Sequence, residues 1–278
     1  MEERYELDSQ DALCRAGCWS SIDQMWVRSW EVNLIGENGK EKMSVKIELL
    51  EDPSDTDENG KHFLWPSSIA LARFVESMAH EEGWSIKRPS VLELGAGCGL
   101  VSITASLLGA RTLATDRAEV LPFLQNNVQR SKHVLEKAAL EPDLCIETLH
   151  WGCDLEHLPA VDIVLASEVC YNKELHQKLA QTIAALLATR SPHSRCFIMH
   201  DDTCVPGGHS LRKHFFAHVC REHKIQVTRH FCVNSVLPER WASPDIFLYE
   251  LRIEPQAGDK AMDHGLSVDQ TIDLQSLD

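Results

Sequence analysis

The sequence predicts an α/β protein, a doubly wound sheet of seven strands with a β-hairpin placed before it. Three stretches carry that expectation. Ser90–Leu100 reads SVLELGAGCGL, a β-prone run that breaks into Gly95, Gly97 and Gly99 and then turns helical; strand, glycine corner and helix form the opening unit of such a sheet. Thr112–Asp116 (TLATD) is a second β-prone run, closing on a carboxylate about twenty residues beyond Gly95. Val161–Ser167 (VDIVLAS) is nearly all apolar, as a parallel strand buried on both faces requires.

Taken in order, residues 1–20 are acidic and irregular. Met25–Ile35 and Met43–Leu50 are strand-like and flank Gly36-Glu37-Asn38-Gly39, whose Asn-Gly pair favours a tight hairpin turn. We expect that hairpin to pack on the main domain, with the charged Glu51–Gly60 segment as a connecting loop. Trp65 and Pro66 precede an amphipathic helix over Ser67–Glu82, whose apolar stripe is Ile69, Leu71, Phe74, Val75 and Met78; proline in the first turn is a helix-start signal. By itself Trp65 reads as the anchor of that helix.

Beyond the glycine unit the pattern alternates. Leu100–Leu108 and Ala118–Lys137 read as helices, and Cys145–Leu149 as a strand closing on His150-Trp151-Gly152. Val161–Ser167 delivers Glu168, Val169, Cys170 and Tyr171 to its carboxyl end, the edge where open α/β sheets bind ligands. A helix over Glu174–Thr189, a strand over Cys196–His200 and a helix over Ser210–His223 follow. Gln226–Val233 and Ile246–Ile253 close the sheet as an antiparallel pair around the Asn234–Pro244 loop. From Glu254 onward there are six acids against one lysine and no aromatic residue, a composition too polar to order itself. The expected organisation is an extension over 1–60, one domain over 61–254 and a disordered acidic tail over 255–278.

A net charge of −15 with no block of Lys or Arg argues against a nucleic-acid groove, which needs a basic face to release counterions. The N-terminal MEERYELDSQ is charged and no apolar run approaches membrane length, so neither a signal peptide nor a membrane partner is expected. Ten cysteines are scattered, several within apolar runs (Cys98, Cys145, Cys170, Cys196, Cys220), and read as reduced, buried thiols of the cytoplasm or nucleus. His214 and His218 have helical spacing near Cys220 and His223 but no matching cysteine couplet; they read as solvated surface histidines, and no metal is expected.

The glycines let bare backbone approach a ligand. Leu100 stands where a dinucleotide fingerprint wants its third glycine. Asp116 is positioned to hydrogen-bond a ribose, or else to cap the helix after it.

Five separated pieces then resemble one group. Phe63-Leu64-Trp65-Pro66, the Glu-x-Gly-x-Gly-x-Gly run within Leu92–Leu100, Thr115-Asp116 with Leu121-Pro122, Leu149-His150-Trp151-Gly152 and Glu168-Val169-Cys170-Tyr171 stand in the order found in the seven-β-strand protein-lysine methyltransferases. The resemblance covers roughly residues 60–253. It implies a Rossmann-like methyltransferase sheet, S-adenosylmethionine (AdoMet) as cofactor, and a monomer acting on a protein substrate of the chaperone or translation-factor kind. It further implies that Glu93, Gly95, Ala96, Gly97 and Gly99 cradle AdoMet, that Asp116 holds its ribose and that Trp151 flanks its adenine. Trp65 would close the methionine side, with Ser167 also in the cofactor site. Glu168 and Tyr171 would be the catalytic pair at the mouth where substrate enters. The family usually has aspartate where this chain has Glu168.

For such an enzyme the chemistry is placement of a neutral amine against a methyl group. A carboxylate beside the amine favours its charged form, so Glu168 is cast as an orienting group and Tyr171 as a channel wall; the bland alternative makes Glu168 a helix cap. Nucleic-acid amino-methyltransferases carry an Asn/Asp-Pro-Pro-aromatic motif at this place, whereas residues 167–171 read SEVCY, which excludes that class. Methylation of a histidine, an arginine or a small-molecule amine stays open, as does a non-catalytic AdoMet-binding protein.

Overall fold

A computed structural model describes residues 17–20, 25–35, 42–52, 62–138, 143–188, 194–232 and 245–253. The elements are β1 (Gly17–Ser20), β2 (Met25–Ile35), β3 (Lys42–Glu51), α1 (Pro66–Glu82), α2 (Trp84–Lys87), β4 (Ser90–Leu94), α3 (Leu100–Leu107), β5 (Arg111–Asp116) and α4 (Leu121–Ala138). They continue with β6 (Leu144–Thr148), β7 (Ile163–Ser167), α5 (His176–Ala188), β8 (Arg195–Asp201), α6 (Gly208–His214), α7 (Cys220–Glu222), β9 (Ile225–Cys232) and β10 (Ile246–Ile253).

The main sheet has seven strands in the order β6-β5-β4-β7-β8-β10-β9. β6 through β8 are mutually parallel, and β10 runs antiparallel to both β8 and β9. This is the doubly wound α/β sheet the sequence predicts, with its closing antiparallel pair. The strand order reverses at β4, the kind of switch point where crossovers diverge to opposite faces and leave a crevice.

Side-chain alternation divides the core. Val91, Ile163, Leu165, Phe197 and Met199 join the cluster built with α1 and α3. Leu92, Leu94, Val164, Ala166 and Ile198 join the opposite cluster, packed on α5 and Phe215–Phe216. Successive strand residues point to opposite faces, so both halves of each apolar run are buried.

The N-terminal strands form a separate antiparallel sheet, β1-β2-β3. Its inward residues Trp30, Val32, Ile47 and Leu49 belong to the same core cluster as α1 and α3, so the hairpin packs on the main domain as expected. Asn127 of α4, fully buried, stitches it down: Leu50 N–H donates to Asn127 Oδ1 at 2.7 Å, and Asn127 Nδ2 donates to the carbonyls of Leu50 at 3.1 Å and Cys98 at 3.0 Å. On the other side Glu76 Oε1 accepts from Asn33 N and Nδ2, and the Arg73 guanidinium lies 4.0 Å from the Trp30 ring centroid.

Several expectations are corrected. Gly17–Ser20 is a strand, not irregular chain, because it pairs with Met25–Arg28 of β2. Glu51 belongs to β3 rather than to the connecting loop; its carboxylate is buried against Arg28, whose Nε donates at 2.7 Å. α4 begins at Leu121, three residues later than predicted, since a turn closed by Val120 N–H on the Arg117 carbonyl comes first. The helix expected over Ser210–His223 is three pieces, α6, a π turn at Phe215–Val219 and α7. Cys145 is exposed, because β6 is an edge strand. His214 is not simply solvated. Its Nδ1 lies 2.9 Å from Nδ1 of the buried His176, whose Nε2 bonds the Cys170 carbonyl at 2.9 Å. The Asn38-Gly39 turn, the Asn234–Pro244 loop and the tail over 255–278 lie outside the described residues. Among the described residues no helix is long and apolar enough to cross a membrane.

Candidate active site

A cavity of about 710 Å³ opens along the carboxyl edge of β4, β5, β6, β7 and β8, within the range usual for small-molecule sites, about 300–1,000 Å³. Segments following five strands contribute to its wall.

The first is the glycine corner after β4. Gly95, Gly97 and Gly99 have φ of +69°, +52° and +85°, the left-handed region that side-chain-bearing residues avoid. A Cβ on Gly95 would come 3.4 Å from Val169 Cγ1 and 3.8 Å from Trp151 Cζ2, narrowing the cavity between them. One on Gly99 would strike Leu124 Cδ1 at 2.6 Å, where α4 packs on the corner. Gly95 and Gly97 line the cavity.

Asp116 at the end of β5 also lines it. Its Oδ2 accepts the Gly97 N–H at 2.8 Å and its Oδ1 the Arg117 N–H at 2.7 Å. Asp116 therefore ties the neighbouring strand to the corner and does not cap α4. Burial pushes its carboxyl up, opposed by those two N–H groups and by Arg117. Each oxygen keeps a further lone pair for a ligand.

Trp151 follows β6, half-buried and in the cavity wall. Gly152 N–H donates to Thr182 Oγ1 at 2.8 Å, and a Cβ there would meet Lys178 Cγ at 3.1 Å, so the glycine lets the chain turn beneath the Lys178 stem. Trp65, opposite, is the N-cap of α1; its carbonyl accepts Ser68 N–H and Oγ–H at 3.0 and 2.7 Å, and its ring packs edge-on against Phe63 at 4.8 Å.

Ser167 ends β7, and Glu168 follows with φ of +51°, a strained conformation for a residue with a Cβ. The Glu168 carboxylate is buried. Its Oε1 accepts the Asp201 N–H at 2.6 Å and lies 3.3 Å from His200 Nδ1, while Oε2 is buried with no hydrogen-bond partner. Glu168 does not cap the following 3₁₀ turn; Asn172 does, its Oδ1 accepting Glu174 N–H at 2.9 Å. Tyr171 is half-buried in the same wall, and burial raises its phenol above the ordinary value.

The cavity thus brings together Trp65, Gly95, Gly97, Asp116, Trp151, Ser167, Glu168 and Tyr171. Glu93, Ala96 and Gly99 do not line it. Glu93 points to the other side: it shares the face of Val91, is 1% exposed, and accepts a hydrogen bond from Ser102 Oγ of α3. Burial pushes its carboxyl up to about 8, against the lowering effect of Ser102. Sequence reasoning assigned no site role to Arg117, His150, Lys173 or the Cys204–Pro206 segment, which also line the cavity. The motif around β6 signalled His150, but nothing local signals Cys204–Pro206.

A lysine methyltransferase family model matches residues 42–221. Among curated relatives, protein N-lysine methyltransferase METTL21A of Xenopus tropicalis is 35% identical over 128 residues, 46% of this chain and 56% of the relative. Protein-lysine methyltransferase METTL21E of Mus musculus is 38% identical over 125 residues, 43% of this chain and 49% of the relative. Protein N-terminal and lysine N-methyltransferase EFM7 of Eremothecium gossypii is 38% identical over 138 residues, 46% and 51% respectively. The chain spans about half the length of the curated relatives it matches. A solved TehB-like SAM-dependent methyltransferase from Corynebacterium glutamicum superposes with TM-score 0.47 at 12% identity, covering 66% of this chain and 88% of that one. With the family match running from β3 through the whole glycine corner and the Glu168 loop to α7, the chain belongs to the lysine methyltransferase family.

Proposed function

We propose that this protein is an AdoMet-dependent protein-lysine N-methyltransferase. One observation carries the reading. The glycine corner and Asp116 line the same cavity as Glu168, whose Oε2 is buried without a hydrogen-bond partner, and Tyr171. An unsatisfied buried carboxylate oxygen costs about 1–3 kcal/mol or more, and an acceptor ammonium is a group that would satisfy it.

The residues fit the cofactor. A Gly95 without a Cβ leaves the space between Val169 and Trp151 open, Asp116 retains lone pairs for ribose hydroxyls, and the Trp65 and Trp151 rings offer flat apolar walls. When bound, AdoMet supplies an electrophilic methyl on a sulfonium whose leaving group needs no acid. The protein's own work is then on the acceptor. Lysine, with an ordinary pKa near 10.4, costs about 4–5 kcal/mol to neutralise at pH 7. Glu168 orients the incoming amine, and the half-buried Tyr171 narrows and dries its approach, which favours the neutral form. The family reading further suggests a chaperone or translation factor as substrate, a monomeric enzyme, and a cytoplasmic or nuclear setting.

Purified protein incubated with methyl-labelled AdoMet and whole-cell lysate should label one protein band, and mass spectrometry should find the label as methyl on a lysine Nζ. Glu168→Ala should abolish the band at unchanged AdoMet affinity. Label on a small molecule, on arginine or histidine, or no label at all would sink the proposal.

A further inference from the structure

The parallel register of β7 with β8 pairs Ser167 with Met199, so the next residues along, Glu168 and His200, emerge side by side at the sheet edge. His200 is fully buried; its Nδ1 is 3.3 Å from Glu168 Oε1, close enough for ion pairing though not aligned for a hydrogen bond. Its Nε2 faces the Gly208 carbonyl at 3.3 Å and Asp202 Oδ1 at 3.7 Å. Asp202 is itself held by Arg212, whose Nε and Nη2 donate at 2.6 and 2.8 Å. The other titratable groups around the pair are the Cys204 and Cys170 thiols, the Asp201 carboxyl and, behind His200, His176.

Glu168 thus lines the cavity with a built-in counter-charge beside Oε1, while its second oxygen, Oε2, is buried with no hydrogen-bond partner. That resolves a conflict in the proposed chemistry. A lone carboxylate would orient an acceptor lysine yet hold it as an unreactive ammonium. We propose that His200 is a positioning residue that neutralises Glu168, letting the carboxylate aim the acceptor amine without trapping it in the charged form. Neither side chain takes up the amine's proton, which leaves to water. The surroundings agree: burial alone pushes the imidazole down, but Glu168, Asp202 and the Gly208 carbonyl outweigh it, and the net direction is up, toward imidazolium. This inference rests on the methyltransferase reading for its chemistry, though the coupling of the two side chains can be tested without it.

Two measurements on the full chain decide it. Imidazole NMR titration, with the His200 signal assigned by its loss in His200→Gln, should give a midpoint above that of an ordinary histidine, and Glu168→Gln should move it down by about one pH unit or more. An unchanged midpoint in Glu168→Gln overturns the proposal. The second is the rate of label transfer from AdoMet to lysate proteins as a function of pH. His200→Gln should shift the acid limb up by about one unit, labelling about tenfold more slowly at neutral pH and recovering near pH 9. An equal loss at every pH marks a merely structural residue and overturns it, as does an unshifted limb. If the wild type labels nothing, the methyltransferase reading fails, and the proposed role fails with it even if the titration shows the two side chains to be coupled.

Discussion

Asp116 Oδ2 accepts the backbone N–H of Gly97 at 2.8 Å. The acid at the end of one strand therefore shapes the glycine corner of its neighbour, and the two form one hydrogen-bonded unit.

Asp116→Ala should for this reason lose both functions. A hydrogen bond to a charged acceptor is worth about 1.5–3 kcal/mol, so calorimetry should show AdoMet binding weakened about ten- to a hundredfold. Asp116→Asn, which keeps one acceptor for Gly97, should recover folding stability more than affinity. Unchanged affinity in the alanine variant would remove the ribose role.

Glu93 should make the protein lose stability with rising pH. Its folded pKa of about 8 lies above the ordinary 4.5, so its contribution is complete below about pH 4.5 and is lost as pH climbs through 8. Across that window the unfolded chain has released a proton the native state still holds, a slope of about −1.4 kcal/mol per pH unit. Denaturant titrations from pH 5 to 8 should show that slope flattened in Glu93→Gln relative to wild type.

Asn127→Ala strands the buried Leu50 N–H and the Leu50 and Cys98 carbonyls together. Leaving buried polar groups unpaired costs about 1–3 kcal/mol each, and with three of them stranded a loss of at least about 3 kcal/mol is expected in chemical denaturation. The N-terminal hairpin should gain protease sensitivity first.

Gly99→Ala should destabilise by about 2–3 kcal/mol, combining the left-handed backbone penalty with displacement of the buried Leu124. Thermal melts check it; a neutral result would mean that the corner and α4 can move apart.

Much of this was readable in the chain. The alternating run and glycines of SVLELGAGCGL specified strand, corner and helix, and Trp65-Pro66 marked the start of α1. Those are local signals, decided by backbone sterics within a few residues. Element ends were less legible. The sequence starts α4 three residues early because the Arg117–Val120 turn is itself helix-like, and the break at Phe215–Val219 leaves no mark in the periodicity.

The sequence alone determined the order of the seven main-sheet strands and the helices that cross between the parallel ones, the glycine corner and the acids at the ends of β5 and β7, since dihedral preference and side-chain alternation are properties of short segments. Tertiary structure alone decided that Glu93 faces α3 instead of the cavity, that His200 stands beside Glu168, and that Cys204–Pro206 completes the wall. Alternation separates the two faces of a strand but does not say what covers each one. That depends on strand register and on crossovers that join residues tens of positions apart, and those are settled only when the whole core is packed.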